Sequence, residues 1–327
     1  MDEFTIEIDD EYTKTINSHC MSNHCIQFII YPPMKTVDSI INMRCKFDVS
    51  GVSEDDLKLL ELNYMPLNNS IESSSLSLNG YDSINKKPSE MILYKKHFAN
   101  LSENMKIERE GNIITITERL LSTIFDNEHQ CLTNVCKLDV MLDLHRNLFS
   151  RIFTNKLDGS VNILEAQLIV NFMKPKKIPS ILYVPFHQDF LFANKHRCNN
   201  KSYLIAIPDR VFVYTKPPTQ IKSFSFTIDG YCKDILKGMT SDALWELSTQ
   251  NDSSQTYDSW CKEGSVLCFK PCPLKARKVG CVMTTYDIEL DCDSESEKEI
   301  KVVVVCETAA NMAIHSNLGS VSVRIGE

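Results

Sequence analysis

The chain has 327 residues, a formal net charge of −8 and 43% hydrophobic residues, which is ordinary globular composition and enough for a large core. The acidic balance excludes a protein that grips nucleic acid through a broad basic face, and 10 glycines and 12 prolines exclude a low-complexity chain. No stretch approaches the roughly 18 apolar residues of a membrane span, so no membrane insertion is expected.

The start, Met-Asp-Glu, lacks the basic and apolar regions of a signal peptide. The Asn-x-Ser sequons at Asn68, Asn100, Asn200 and Asn251 therefore read as unused. The 13 cysteines are odd in number and form no CxxC, which fits a reducing compartment where they serve as small apolar residues.

Along the first 103 residues the pattern predicts strands at 4–8, 25–31, 43–49 and 91–98. A short helix is expected over 55–62 with Ser53 as N-cap, and an exposed Ser- and Asn-rich loop over 68–88. From Met105 a hairpin is expected around Gly111-Asn112, with Ile113–Leu121 as its second, β-branched strand. A short strand or helix start over 136–141 comes next, then helical spacing over 143–153. Long strands at 161–172 and 181–193 follow, joined by a basic turn. Shorter strands are expected at 203–207, 211–214 and 224–228, and residues 230–263 read as polar and irregular.

The best-patterned stretch is Gly264–Asp291. A first run, Val266–Phe269, stops at Pro271 and Pro273, which lack ladder N–H groups. A second run from Gly280 alternates: Val282, Thr284, Tyr286, Ile288 and Leu290 share one side, and Thr285, Asp287 and Glu289 the other. These are expected to form two strands joined by a short turn. An acidic run over 291–299 is followed by strands at 302–306 and 321–325. Many strands and one convincing helix predict a mainly β, antiparallel, eight-stranded jelly-roll sandwich with loop insertions. The expected division is an N-terminal extension over 1–103, the jelly-roll core over 104–291 and a C-terminal segment over 292–327.

Few residues suggest chemistry. His19-Cys20 and His24-Cys25 are spaced for zinc, but lack a second ligand pair and read as a loop. His187 and Asp189 lie two apart on one face of a strand, where they could hold a metal, act as a base pair or simply hydrogen-bond. Asp287, Glu289 and Asp291 share a strand face, so they are either solvated or relieved by a divalent cation such as Ca or Mg. Lys86-Lys87, Lys174 to Lys177 and Lys275 to Lys278 are small basic clusters, read as solvated loops, with nuclear import as the alternative.

The order of these segments resembles the capsid protein of parvoviruses, particularly densoviruses. GNIITITERLLSTIFDNEH is similar to that family's strand B, and LDLHRNLFSRIF to the helix after strand C. SVNILEAQLIVNF and PSILYVPFHQDFLF are similar to strands D and E, and GSVLCFKPCPLK and GCVMTTYDIEL to strands H and I. The resemblance implies a virion protein that self-assembles into a small T=1 icosahedral shell around single-stranded DNA, with assembly in the host nucleus and a host-cell receptor of unknown identity. It also implies that Lys174, Lys176 and Lys177 sit on a D–E hairpin rimming a channel at the five-fold axis. The chain departs from the family in lacking a glycine-rich or basic start and a long spike loop. It also has no His-Asp pair of the phospholipase domain some members carry. The competing readings are a cytosolic, lectin-like β-sandwich that binds a ligand, and an unrecognised enzyme using His187 and Asp189.

Overall fold

The computed structural model describes residues 8–33, 36–86, 92, 96–98, 105–121, 131–155, 157–175, 182–194, 197–228, 236–271, 279–291, 300–314 and 321–325. The chain divides into two compact units. The first holds Met1–Ile92, Asn100–Leu182 and Met312–Ser322; the second holds Leu93–Ala99, Tyr183–Asn311 and Val323–Glu327. No helix among the described residues is long and apolar enough to cross a membrane.

The first unit begins with β1 (Ile8–Asn17), β2 (Cys20–Met21), β3 (Cys25–Ile30) and β4 (Thr36–Ser50). Two short helices follow, α1 (Glu54–Lys58) and α2 (Pro66–Ser70), then β5 (Ile71–Leu78) and β6 (Tyr81–Lys86). Next come β7 (Lys106–Glu110), β8 (Ile113–Arg119), β9 (Cys131–Thr133), β10 (Leu138–Leu144), α3 (Leu148–Ile152) and β11 (Ser160–Pro175). One sheet has the order β1-β11-β4-β8-β7, with β9 on β4; the other runs β2-β3-β10-β5-β6. The strand pairings described for this unit are antiparallel. Inward residues alternate as expected of strands with one dry face, for example Met43, Cys45, Phe47 and Val49 on β4.

The second unit contains β12 (Leu182–Asn194), β13 (Arg197–Ala206), β14 (Arg210–Lys216) and β15 (Gln220–Ile228). It continues with α4 (Ser241–Gln250), α5 (Tyr257–Lys262), β16 (Leu267–Phe269), β17 (Val279–Asp291), β18 (Ile300–Ile314) and β19 (Val321–Ile325), the end of β18 and the start of β19 being grouped with the first unit. One sheet runs β12-β18-β14-β16, with β19 on β18, and the other runs β13-β17-β15. Residues from both sheets and both helices share one core, including Phe224, Phe226, Trp260, Phe269, Tyr286 and Val304. Phe226 meets Phe269 at 5.2 Å and Tyr286 at 5.1 Å between ring centroids.

The two units share a strand order. In each larger sheet the strand that opens the unit lies beside a long, late strand, which in turn lies beside an earlier one: β1-β11-β4 and β12-β18-β14. In the other sheets β3-β10-β5 matches β13-β17-β15. Through β12 to β18 each strand lies in the opposite sheet from the one before it. This is the Greek-key path of a jelly roll, so the mainly β jelly-roll expectation holds, and the chain carries the pattern twice.

Several expectations need correction. Residues 1–103 are not an extension, because β1, β4 and β5 pair with β11, β8 and β10. The division at 104 and 291 does not coincide with the compact units. Within the stretch 68–88, expected to be a loop, lie the end of α2 and the strands β5 and β6; on β5 the serines are half-buried while Ile71, Leu76 and Leu78 are buried. Residues 230–263, expected irregular, contain α4 and α5, and residues 96–98 are helical rather than strand. Strands β11 and β12 do not form a hairpin; β11 pairs with β1 and β4, and β12 with β18. Likewise β16 pairs with β14, while β17 pairs with β13 and β15. The cause is topological: parity fixes which side of a strand is dry, and a Greek-key connection takes the chain across to the other sheet.

Other local expectations hold. Ser53 caps α1, with the Asp56 amide donating to its Oγ at 3.2 Å. The turn between β7 and β8 has Gly111 at φ +60°, a conformation that glycine adopts without the steric cost of a Cβ.

Helices α4 and α5 have a definite task. Strand β16 pairs with β14 on one side only, which leaves N–H groups on its other edge. The Cys268 amide donates to Ser248 Oγ at 3.0 Å, and the Val266 amide to Gln255 Oε1 at 3.1 Å. Gln255 Nε2 in turn donates to the Gly264 carbonyl at 2.8 Å. Gly264 has φ +98°, and a Cβ there would lie 2.5 Å from Pro218 Cβ, so glycine is required. The buried polar residues thus close a sheet edge that would otherwise be open to pairing. Ser248→Ala leaves the Cys268 amide buried and unbonded and should cost about 1–3 kcal/mol in urea unfolding, whereas exposed Thr249→Ala should stay within about 0.5 kcal/mol.

Candidate functional site

Strand β17 carries the acidic residues singled out from the sequence. Thr284, Tyr286, Ile288 and Leu290 are buried, and Asp287, Glu289 and Asp291 lie on the other side, as the alternation predicts. The neighbouring strands moderate this carboxylate row. Asp291 Oδ1 pairs with Lys222 Nζ at 2.8 Å, and Glu289 Oε2 accepts from Ser223 Oγ at 3.5 Å. Arg197 stands opposite Glu289 in the register, and Asn199 opposite Asp287. The Lys222 ammonium and the Ser223 hydroxyl thus offset part of the repulsion in the row.

His187 and Asp189 lie on β12, in the sheet that contains β18, whereas Asp287, Glu289 and Asp291 lie on β17 in the other sheet. Their side chains lie outside the described set. Among the described residues, no three His, Cys, Asp or Glu side chains come together in a way that could hold a metal ion. His19, Cys20, His24 and Cys25 belong to the β2–β3 hairpin, in which Cys20 faces Gln27 and Met21 faces Ile26. Lys174 is exposed near the end of β11, opposite Asp10. Lys176 and Lys177 lie outside the described residues. Among the described residues β11 and β12 lie in different sheets and form no D–E hairpin, so a channel-lining role for these lysines rests on the resemblance alone. Of the sequons, Asn68 is fully buried and Asn251 is 8% exposed, so the folded chain closes both to modification.

The outer face of the larger first-unit sheet carries a cleft of about 360 Å³. Long side chains of β4 and β11 (Arg44, Lys46, Glu165, Gln167) form one wall, and Glu108 and Glu110 of β7 the other. The short residues of β8, Ile113 and Thr115, lie between them. Arg44 Nη2 approaches Glu108 Oε2 at 3.5 Å, and Gln167 Nε2 donates to Glu165 Oε1 at 2.6 Å. The lining mixes the cations Arg44, Lys46 and Arg109 with the carboxylates Glu108, Glu110 and Glu165, so it is a charged, polar surface.

A buried group escaped the sequence reading. On β8, Ile114, Ile116 and Glu118 share the inward side, and Glu118 is 1% exposed. Its Oε1 accepts from both the amide and Nδ2 of Asn68, each at 2.6 Å, and its Oε2 is buried without a hydrogen-bond partner. Burial pushes its carboxyl up to about 7, against the lowering effect of the Asn68 and Leu67 donors. The parity of the ITITE run was the available signal: it places a carboxylate where a core residue belongs.

The fold has solved relatives. A chain of the Sputnik virophage, solved by cryo-EM, superposes with a TM-score of 0.74 at 13% identity, covering 98% of this chain and 89% of its own. The fold is that of viral jelly-roll capsid proteins. The mavirus major capsid protein gives a TM-score of 0.65 at 14% identity, covering 96% of this chain and 90% of its own. The Faustovirus major capsid protein gives 0.64 at 6% identity, covering 100% and 92%. No sequence-family model matches the chain, and no curated protein matches it by sequence.

The β17 row yields a direct test. Lys222→Ala and Asp291→Ala, which break a half-exposed pair, should each shift thermal stability by less than about 1 kcal/mol. Calorimetry should also show no change on adding a chelator.

Proposed function

We propose that the chain is a structural subunit of a viral capsid, which associates with copies of itself into a closed shell around a genome. One observation carries the reading. The likeness to virophage and major-capsid structures spans 96–100% of the chain, so it takes in both sandwiches. The step from fold to function is an analogy of architecture. It is supported by what the described surfaces offer: strands with one dry face fill each core, and the wet faces bear paired charges such as Arg44 with Glu108 and Lys222 with Asp291.

In this reading the work is association, through complementary patches repeated by symmetry. A chain with two like sandwiches supplies two building blocks per copy. The protein resides in the virion, and its first partner is itself. The parvovirus resemblance went further, to single-stranded DNA, a T=1 shell and nuclear assembly. Those details belonged to a single sandwich over 104–291, and the chain has two.

The test is mass in solution. Light scattering of the purified protein at rising concentration should show discrete oligomers or particles at integral multiples of 37.4 kDa. A species that stays at 37.4 kDa throughout would overturn the proposal. If that monomer bound sugars, the lectin-like reading would replace it.

A further inference from the structure

We propose that Glu118 and Asn68 form a pH latch, which holds the first sandwich closed in mild acid and loosens it above neutrality. The inference does not depend on the capsid reading. Its basis is a carboxyl group at a core position with one oxygen bonded and the other sealed off.

Asn68 ties α2 to the end of β8. Its amide and Nδ2 donate to Glu118 Oε1, its Nδ2 also donates to the Arg119 carbonyl at 2.8 Å, and its Oδ1 accepts from the Leu121 amide at 2.8 Å. Among the described residues, the groups whose charge acts on Glu118 include no cation. Strand β4 brings Met43 opposite Glu118 in the register, and Cys45 nearby, whose thiol is pushed up by burial and by Glu118. The segment before α2 brings Tyr64, whose hydroxyl is pushed up by the same two causes. Both can add only negative charge. Arg119, next along β8, is buried too, and its charge acts on Asp38, which it lowers.

An ionised Glu118 is thus a buried charge with partial compensation, which costs free energy that the protonated acid does not. The folded carboxyl titrates at about 7 against an ordinary 4.5. The folded state therefore holds the proton more tightly than the unfolded chain. The stabilisation is complete below about 4.5 and is lost as pH rises through about 7. The folding equilibrium of the first unit should weaken on the order of a hundredfold across that window. The opening should start where Asn68 holds α2 against β8, as local unfolding rather than global collapse.

The experiment compares urea unfolding of the full chain and of Glu118→Gln at pH 5 and pH 8. Glutamine keeps the shape and removes the charge. The wild type should lose on the order of a hundredfold in the first unit's folding equilibrium between the two pH values. The variant should lose much less and be the more stable protein at pH 8. Equal losses in both proteins would overturn the latch. Comparing the two proteins cancels other titrations, including that of His97 in the second unit, which burial pushes down to about 4. Should the variant not fold, hydrogen exchange in the wild type decides. The Asn68 and Leu121 amides should exchange faster above pH 7 than the intrinsic rate increase explains, relative to Ile116. If all three simply follow the intrinsic rate, the latch is refuted.

Discussion

Burial of one face of each strand is the constraint on which the rest of this structure depends. A strand with a dry side and a wet side must find a sheet whose core accepts the dry side, and the next strand must find a place as well. In both units the chain solves this by crossing to the opposite sheet, so neighbours in sequence are seldom neighbours in a ladder. The exceptions among the described strands are the local pairs β2–β3, β5–β6, β7–β8 and β18–β19. Such crossing makes the contacts long in range: the late strands β11 and β18 lie beside β1 and β12, which open their units.

What was legible in the sequence follows from the same constraint. The alternation of Thr284, Tyr286, Ile288 and Leu290 revealed the dry face of β17, and Val321–Ile325 revealed β19. The partners were not legible, because parity reports a side and says nothing about which strand lies alongside. The lysines after β11 were assigned to a hairpin for that reason. Strand β5 was missed because its serines looked like loop, although Leu76 and Leu78 kept strand spacing. The doubling of the sandwich was hidden as well, since two units can share a strand order without sharing residues.

Polar groups inside the cores act where the strands alone leave a gap. Ser248 and Gln255 satisfy the bare edge of β16, and Asn68 and Glu118 join α2 to β8. Fully bonded, such groups fix one arrangement; partly bonded, they make it conditional. The first pair is of the former kind. The second, with one sealed oxygen, is of the latter. The two units, alike in strand order, differ in this respect.

If two jelly rolls in one chain exist to pave a shell, electron cryo-microscopy of the purified protein's assemblies is the most direct measurement. It should show closed, symmetric walls into which both sandwiches of every copy can be fitted. Assemblies without symmetry, or walls in which only one sandwich of each copy takes part, would contradict the account.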